Sequence, residues 1–210
     1  MKAMRKYSPL LKGEILDFGC GNKPYRSLFN HVERYIGVDV ENEGHNHVNE
    51  DIDIFYDGRT LPFEDNSFDG VLSNEVFEHV PDLDFCLAEL HRVLKPQGQM
   101  LVTVPFVCFE HEMPFDFRRF TQGGLVTLLE KNGFDIVSSE KTGYYFEAVV
   151  QLFGGYVREL LYTRNKYLNL LINAVFIAPF FFISYLLSFI LPKSQVLYFD
   201  TVVLCRKKTT

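Results

Sequence analysis

The sequence predicts an α/β fold built on a mostly parallel sheet, and three observations carry that prediction. Short apolar runs at 15–18, 35–38, 70–73 and 100–105 alternate with segments of helical character, the pattern of repeated strand–helix crossovers. The first run ends in Asp17-Phe18-Gly19-Cys20-Gly21, an acid followed by two glycines one residue apart, a turn that lets a ligand approach bare backbone. The second run ends in Asp39, about 20 residues on, where a nucleotide-binding α/β fold places the carboxylate that holds ribose hydroxyls.

The later elements follow in order. Residues 84–94 form a helix, because Phe85, Leu87, Ala88, Leu90, Val93 and Leu94 lie at helical spacing and Pro96-Gln97-Gly98 stops it. Thr121 caps a helix over 123–132 that Gly133 ends. Residues 134–139 and 200–205 are the last strands. There are no internal repeats.

The chain has 210 residues, enough for one domain with its own core. Its net charge of −6 argues against a nucleic-acid partner. Cys20, Cys86, Cys108 and Cys205 are scattered without C-x-x-C spacing, which signals neither a disulfide framework nor a zinc site and suits a reducing cytoplasm. Residues 1–13 are basic in part but contain no apolar stretch of secretory type.

Between the last two strands, 167–192 is a run of 26 residues without Asp, Glu, Lys, Arg or His. A membrane-spanning helix needs roughly 20 apolar residues. Upstream, 144–164 is amphipathic, with Phe146, Val149, Val150, Phe153, Val157 and Leu160 on one side and Glu147, Gln151 and Arg158 on another. Strands on either side in one sheet require the chain to return to the side it left. Pro179, near the middle, is expected to split the run into two helices of roughly 18 Å each, too short to span. Arg164, Lys166 and Lys193 flank the run. The expectation is a helical hairpin dipping into one leaflet at the cytoplasmic face, with 144–164 in the interface. The competing reading is a soluble lid or dimer interface.

For the ligand of the glycine turn, a dinucleotide and S-adenosylmethionine (SAM) compete. The third glycine of G-x-G-x-x-G would fall at Pro24. A dinucleotide needs free amides and a close helix for its pyrophosphate, whereas SAM has no phosphate, so the substitution favours SAM. Four stretches taken together, Ile15–Gly21, Gly37-Val38-Asp39, Leu61-Pro62-Phe63-Glu64-Asp65-Asn66-Ser67-Phe68-Asp69-Gly70-Val71 and His91-Arg92-Val93-Leu94-Lys95-Pro96-Gln97-Gly98, resemble the class I SAM-dependent methyltransferases of type 11. The resemblance implies a Rossmann-like, seven-stranded, mostly parallel sheet with helices on both faces. It places Asp17 near the methionine end of SAM, Gly19 and Gly21 beneath the cofactor, Asp39 on the ribose and Asp57 near the adenine amino group, with Leu61 and Asn74 also against the cofactor. Asp57-Gly58 also reads as a simple turn. The domain is expected over 1–143 and 196–210, with a helical, apolar, membrane-associating insertion over 144–195.

Asn74-Glu75-Val76-Phe77-Glu78-His79 follows the fourth strand, at the sheet edge where α/β ligands bind. Were it helical, Glu75, Glu78 and His79 would share a face. They then ligate a divalent cation, as in the similar Glu-x-x-Glu-His stretch of small-RNA and some quinone-precursor O-methyltransferases. Alternatively they wall the pocket with His79 as general base, or begin a solvated helix. His111-Glu112-Met113-Pro114-Phe115-Asp116-Phe117-Arg118-Arg119-Phe120-Thr121 looks like a stretch of methyltransferases associated with cell-surface glycan and lipid-linked sugar synthesis. His111 is expected at the acceptor site as a second catalytic base or a further metal ligand. Asp116 and Arg119 read alternatively as a structural ion pair. His45 and His47 read as surface residues.

The function expected is O-methylation of a lipid-linked or glycan acceptor at the membrane surface. The alternatives are a membrane-tethered SAM-binding scaffold without turnover and a quinone-precursor methyltransferase, with an NAD-dependent oxidoreductase least favoured.

Overall fold

The computed structural model describes residues 1–41 and 51–209. His45 and His47 lie outside them. The chain divides into two compact units, Met1–Glu140 with Asp200–Thr210, and Lys141–Phe199.

The first unit holds seven strands: β1 (Glu14–Phe18), β2 (Arg34–Val40), β3 (Ile54–Tyr56), β4 (Phe68–Asn74), β5 (Leu94–Pro105), β6 (Phe134–Lys141) and β7 (Asp200–Lys207). They lie in the order β3-β2-β1-β4-β5-β7-β6. The pairs β1–β2, β1–β4, β2–β3 and β4–β5 are parallel, and β5–β7 is antiparallel. Successive apolar residues of the central strands face opposite sides, so both faces need cover. Ile15, Leu72 and Leu101 pack with Met4 and Tyr7 of α1 (Lys2–Tyr7) and with Phe29. Leu16, Val71, Met100 and Val102 pack on the other face against Leu87 and Leu90 of α2 (Leu83–Val93) and Leu125 and Leu129 of α3 (Gln122–Lys131). Each such fully buried Leu or Ile stabilises the fold by about 1.5–3 kcal/mol.

Both helices start at side-chain caps. Asp82 accepts from Phe85 N at 3.1 Å, and Thr121 accepts from Gly124 N at 3.1 Å. Pro96-Gln97-Gly98 does not stop α2, which ends at Val93; Leu94 is already extended and opens β5. Phe68 pairs with Leu94 and Gly70 with Gln99, so residues 95–98 bulge opposite Asp69. A bulge is where a strand tolerates proline and a left-handed Gln97. The three-residue edge strand β3 had no sequence signal of its own, being too short to show alternation.

The second unit is a helix pair: α4 (Tyr145–Leu161) and α5 (Lys166–Leu187, 22 residues). Here the structure corrects the expected hairpin. Pro179 does not divide 167–192 into two helices. The chain widens to a π segment at Asn173–Ile177 just before it, which relieves the clash a proline ring makes with the preceding turn. The helix therefore runs unbroken for about 33 Å. The hairpin that does form joins α4 to α5, which run antiparallel: Tyr162 OH donates to Asn173 Oδ1 at 2.6 Å, Arg158 lies over the Phe181 ring, and Phe153 packs on Phe180. A Cβ at Gly154 would lie 2.4 Å from the Phe181 ring, so the helices touch only because that side chain is missing. Asn165 caps α5, and Asn169 closes the loop onto Thr163.

Candidate active site

The glycine turn leaves β1 at the carboxyl edge of the sheet. Gly19 has a φ of +68°, and any side chain there would strike Val76. Its N–H and that of Cys20 donate to Val38 O, tying the turn to β2. Gly21 N donates to Asp39 Oδ2 at 2.9 Å. The two ends of the predicted cofactor motif thus meet directly. A cation braces them from behind: buried Lys23 bonds Asp53 at 2.8 Å, and Asp53 also accepts from Gly37 N at 2.6 Å.

These elements wall a cavity of about 710 Å³. Asp17, Gly19, Gly21, Asp39, Asp57, Asn74 and His79 all line it, as does Glu75. Asp57 Oδ1 also accepts from Arg59 N and Thr60 N, so the turn role and a place on the wall coexist. Leu61 does not reach the cavity. It is buried in the core, with its N–H given to Glu89 and its carbonyl to Arg92. Arg92 also binds Phe63 O and Asp65, so this arginine shapes the 61–65 loop.

Asp17 is almost fully buried and accepts from Tyr35 OH at 2.5 Å. Burial dominates over that bond and pushes the carboxyl up to about 7. The folded state therefore holds a proton that the unfolded chain releases near pH 4. Stability is expected to fall between about pH 4 and pH 7, by roughly 4 kcal/mol at this site alone. Melting curves of wild type and Asp17→Asn over that range test this: the variant's loss should be the shallower, and parallel curves would contradict the assignment.

Residues 75–80, after the end of β4, form a bend and a turn, not a helix, so Glu75 does not share a helical face with Glu78 and His79. Glu75 turns the chain with a φ of +54° and is drawn to the sheet, its N–H on Thr103 O and its Oε1 accepting from Thr103 Oγ1 at 2.6 Å. Burial pushes its carboxyl up to about 7. Glu78 is completely buried and both of its carboxylate oxygens lack a hydrogen-bond partner; burial, then Glu75, raise it to about 8.

His111 replaces Glu75 in the cluster. Glu78, His79 and His111 each offer a ligand atom within 4.8 Å of the others. His79 Nδ1 lies 2.8 Å from Phe115 O and His111 Nδ1 lies 3.0 Å from Phe109 O. A carbonyl only accepts, so both Nδ1 atoms carry hydrogen. In neutral rings the two Nε2 atoms are then lone-pair acceptors, yet they face each other at 3.1 Å, with Glu78 Oε1 3.8 Å from that of His79. That geometry asks for a positive charge, a shared proton or a metal ion. The expected Asp116–Arg119 pair holds the loop in place. Arg119 binds Asp116 through both amino groups, and Asp116 accepts from His111 N at 3.0 Å. This clamp holds Asp116 well below the usual carboxylate range. Sequence reasoning missed Tyr25, Tyr35, Glu112 and Phe115 at the site; Glu112 and Phe115 lie within the quoted 111–121 stretch, whereas the two tyrosines have no local signal.

A methyltransferase domain model matches residues 16–102. Demethylmenaquinone methyltransferase of Staphylococcus haemolyticus is 39% identical over 77 residues, 37% of this chain and 30% of the relative. Among the foremost curated relatives, the chain spans about half their length at most. Phosphoethanolamine N-methyltransferase 2 of Haemonchus contortus, in complex with SAM, matches with a TM-score of 0.59 at 18% identity, covering 98% of this chain and 51% of that one. The [4+2]-cyclase SpnF matches with a TM-score of 0.58 at 18% identity, covering 100% and 83%. At such identities these two structures carry the fold alone, and the cyclase shows that the fold hosts more than one chemistry.

Proposed function

We propose, for a chain that belongs to the class I SAM-dependent methyltransferases, the transfer of the SAM methyl group to a hydroxyl of a lipid-linked or glycan acceptor at a membrane surface. The observation that carries the reading is one cavity that joins the Asp17–Gly21–Asp39 cradle to the imidazole of His79, with His111 behind it. SAM brings its own electrophile, so the protein's task is alignment, exclusion of water and acceptance of a proton. Asp39 would bind the ribose hydroxyls and Asp57 the adenine amine, both donors matched to carboxylates. His79 lines the cavity, and the Nε2 of its imidazole faces His111 at 3.1 Å. A base there would take the hydroxyl proton as the oxygen attacks the methyl carbon in line with the departing sulfur, and pass it to His111.

The membrane half rests on the second unit alone. Its helix α5 is long and apolar enough to cross a membrane, and only 17% of its most apolar stretch is buried. A helix apolar all round is stable only when covered by protein or lipid. Phe176, Phe182, Ile183, Phe189 and Ile190 are all more than half exposed, while Arg164, Lys166 and Lys193 stand at the ends. Flotation of the full chain with liposomes tests this. A protein that stays soluble and monomeric without detergent, away from the vesicles, would overturn it.

The quinone-precursor alternative keeps its support in the Staphylococcus relative. Mass spectrometry of lipid extracts from cells with and without the protein decides between the two, since the product is one methyl group heavier in either a glycolipid or a quinone. A divalent cation is the alternative occupant of this cluster, since Glu78 without a hydrogen bond and two converging Nε2 atoms suit one, and an Nε2 that ligates an ion no longer serves as the base. Glu78, His79 and His111 would hold it. Two imidazoles and a carboxylate suit zinc, iron or manganese better than magnesium. When bound, such an ion polarises a coordinated hydroxyl. Zinc should raise the Tm of the wild type by several degrees and leave Glu78→Gln unmoved; equal shifts in both would remove the ion.

A further inference from the structure

We propose that the acceptor enters this cavity as an uncharged sugar ring, with any phosphate or carboxylate it carries held outside. This inference rests on the methyl-transfer reading and narrows its substrate. Six carboxylates line the cavity, Asp17, Asp39, Glu41, Asp57, Glu75 and Glu112, and among the described residues no lysine or arginine does. Lys23, between the lining residues Asn22 and Pro24, is bound to Asp53 and Asp51, and Arg119 is bound to Asp116. The distribution is not confined to the cofactor cradle. Glu75 follows β4, and Glu112 comes from the 111–121 loop with its Oε2 3.9 Å from His79 Nε2.

SAM suits such a cavity because it brings a sulfonium and an ammonium against one carboxylate. An anionic acceptor does not. A negative charge about 6 Å from one carboxylate, at an effective dielectric near 20, is disfavoured about 100-fold, and several carboxylates act together here. Hydroxyl groups, by contrast, are donors that carboxylates and a lone-pair imidazole nitrogen accept. Phe115, Pro81 and Tyr25 supply apolar faces on the same wall, against which the C–H face of a sugar ring packs.

The test uses the full chain, [methyl-14C]SAM and a total polar lipid extract. Labelled lipid is treated with mild acid to release its headgroup, which is passed over an anion exchanger and hydrolysed to its sugars. The expected result is label in a neutral sugar, at about 100-fold excess over any anionic fraction. Label that after hydrolysis to single sugars lies in a uronate or in a sugar with phosphate on the methylated ring itself, or label in an aromatic ring, overturns the inference while leaving methyl transfer standing. No label in any fraction overturns methyl transfer itself, and this inference with it.

Discussion

Replacing His111 with alanine is expected to lower kcat for methyl transfer by about 10²- to 10⁴-fold, the usual contribution of a positioned base. SAM affinity should stay within about threefold, because His111 does not line the cofactor cradle. The expectation follows from geometry: the Nε2 atoms of His79 and His111 are 3.1 Å apart, and each ring is fixed through Nδ1 by a backbone carbonyl. Removing one imidazole leaves the other without the partner that shares its charge. Steady-state kinetics and SAM titration on the same variant separate the effects. A fall in SAM affinity with unchanged kcat would move His111 from the chemistry to the cofactor.

Asp39→Ala is expected to have the largest effect on binding, raising the SAM Kd by about 10- to 100-fold, since hydrogen bonds to a charged group contribute about 1.5–3 kcal/mol. Asp39 does two jobs: it accepts from Gly21 N and so shapes the turn, and it faces the cavity where ribose hydroxyls would lie. Asp39→Asn keeps an acceptor and should recover part of the loss. The cradle also predicts proton linkage. Burial holds Asp17 near 7, and the ammonium of SAM beside it would drive the proton off. SAM should therefore bind more tightly as pH rises from 6 to 7, with proton release that Asp17→Asn abolishes. Calorimetry in buffers of different ionisation enthalpy reads that release directly.

The parts legible in the sequence are those that local chemistry fixes. Gly19 marks a turn because a side chain there would strike Val76, Gly21 because its φ of +43° favours glycine, and Asp82 and Thr121 cap the helices that begin beside them. Residues paired by tertiary structure were harder to read. Nothing near Glu75 announces that Thr103 will draw it to the sheet, or that His111, 32 residues from His79, will take its place in the cluster. Pro179 misled for a related reason: its local rule says break, but a π segment one turn earlier accommodates the ring without ending the helix. The bulge at 95–98 likewise depends on what β4 offers opposite, a relation no stretch of β5 contains by itself.

The central claim, that the cavity beneath Asp17-Phe18-Gly19-Cys20-Gly21 is a SAM site, is tested most directly by isothermal titration of the purified full chain with SAM. Saturable binding of one SAM per chain, weakened by Asp39→Ala, is the predicted result. No heat and no saturation at millimolar SAM, in a protein that remains folded, would contradict it.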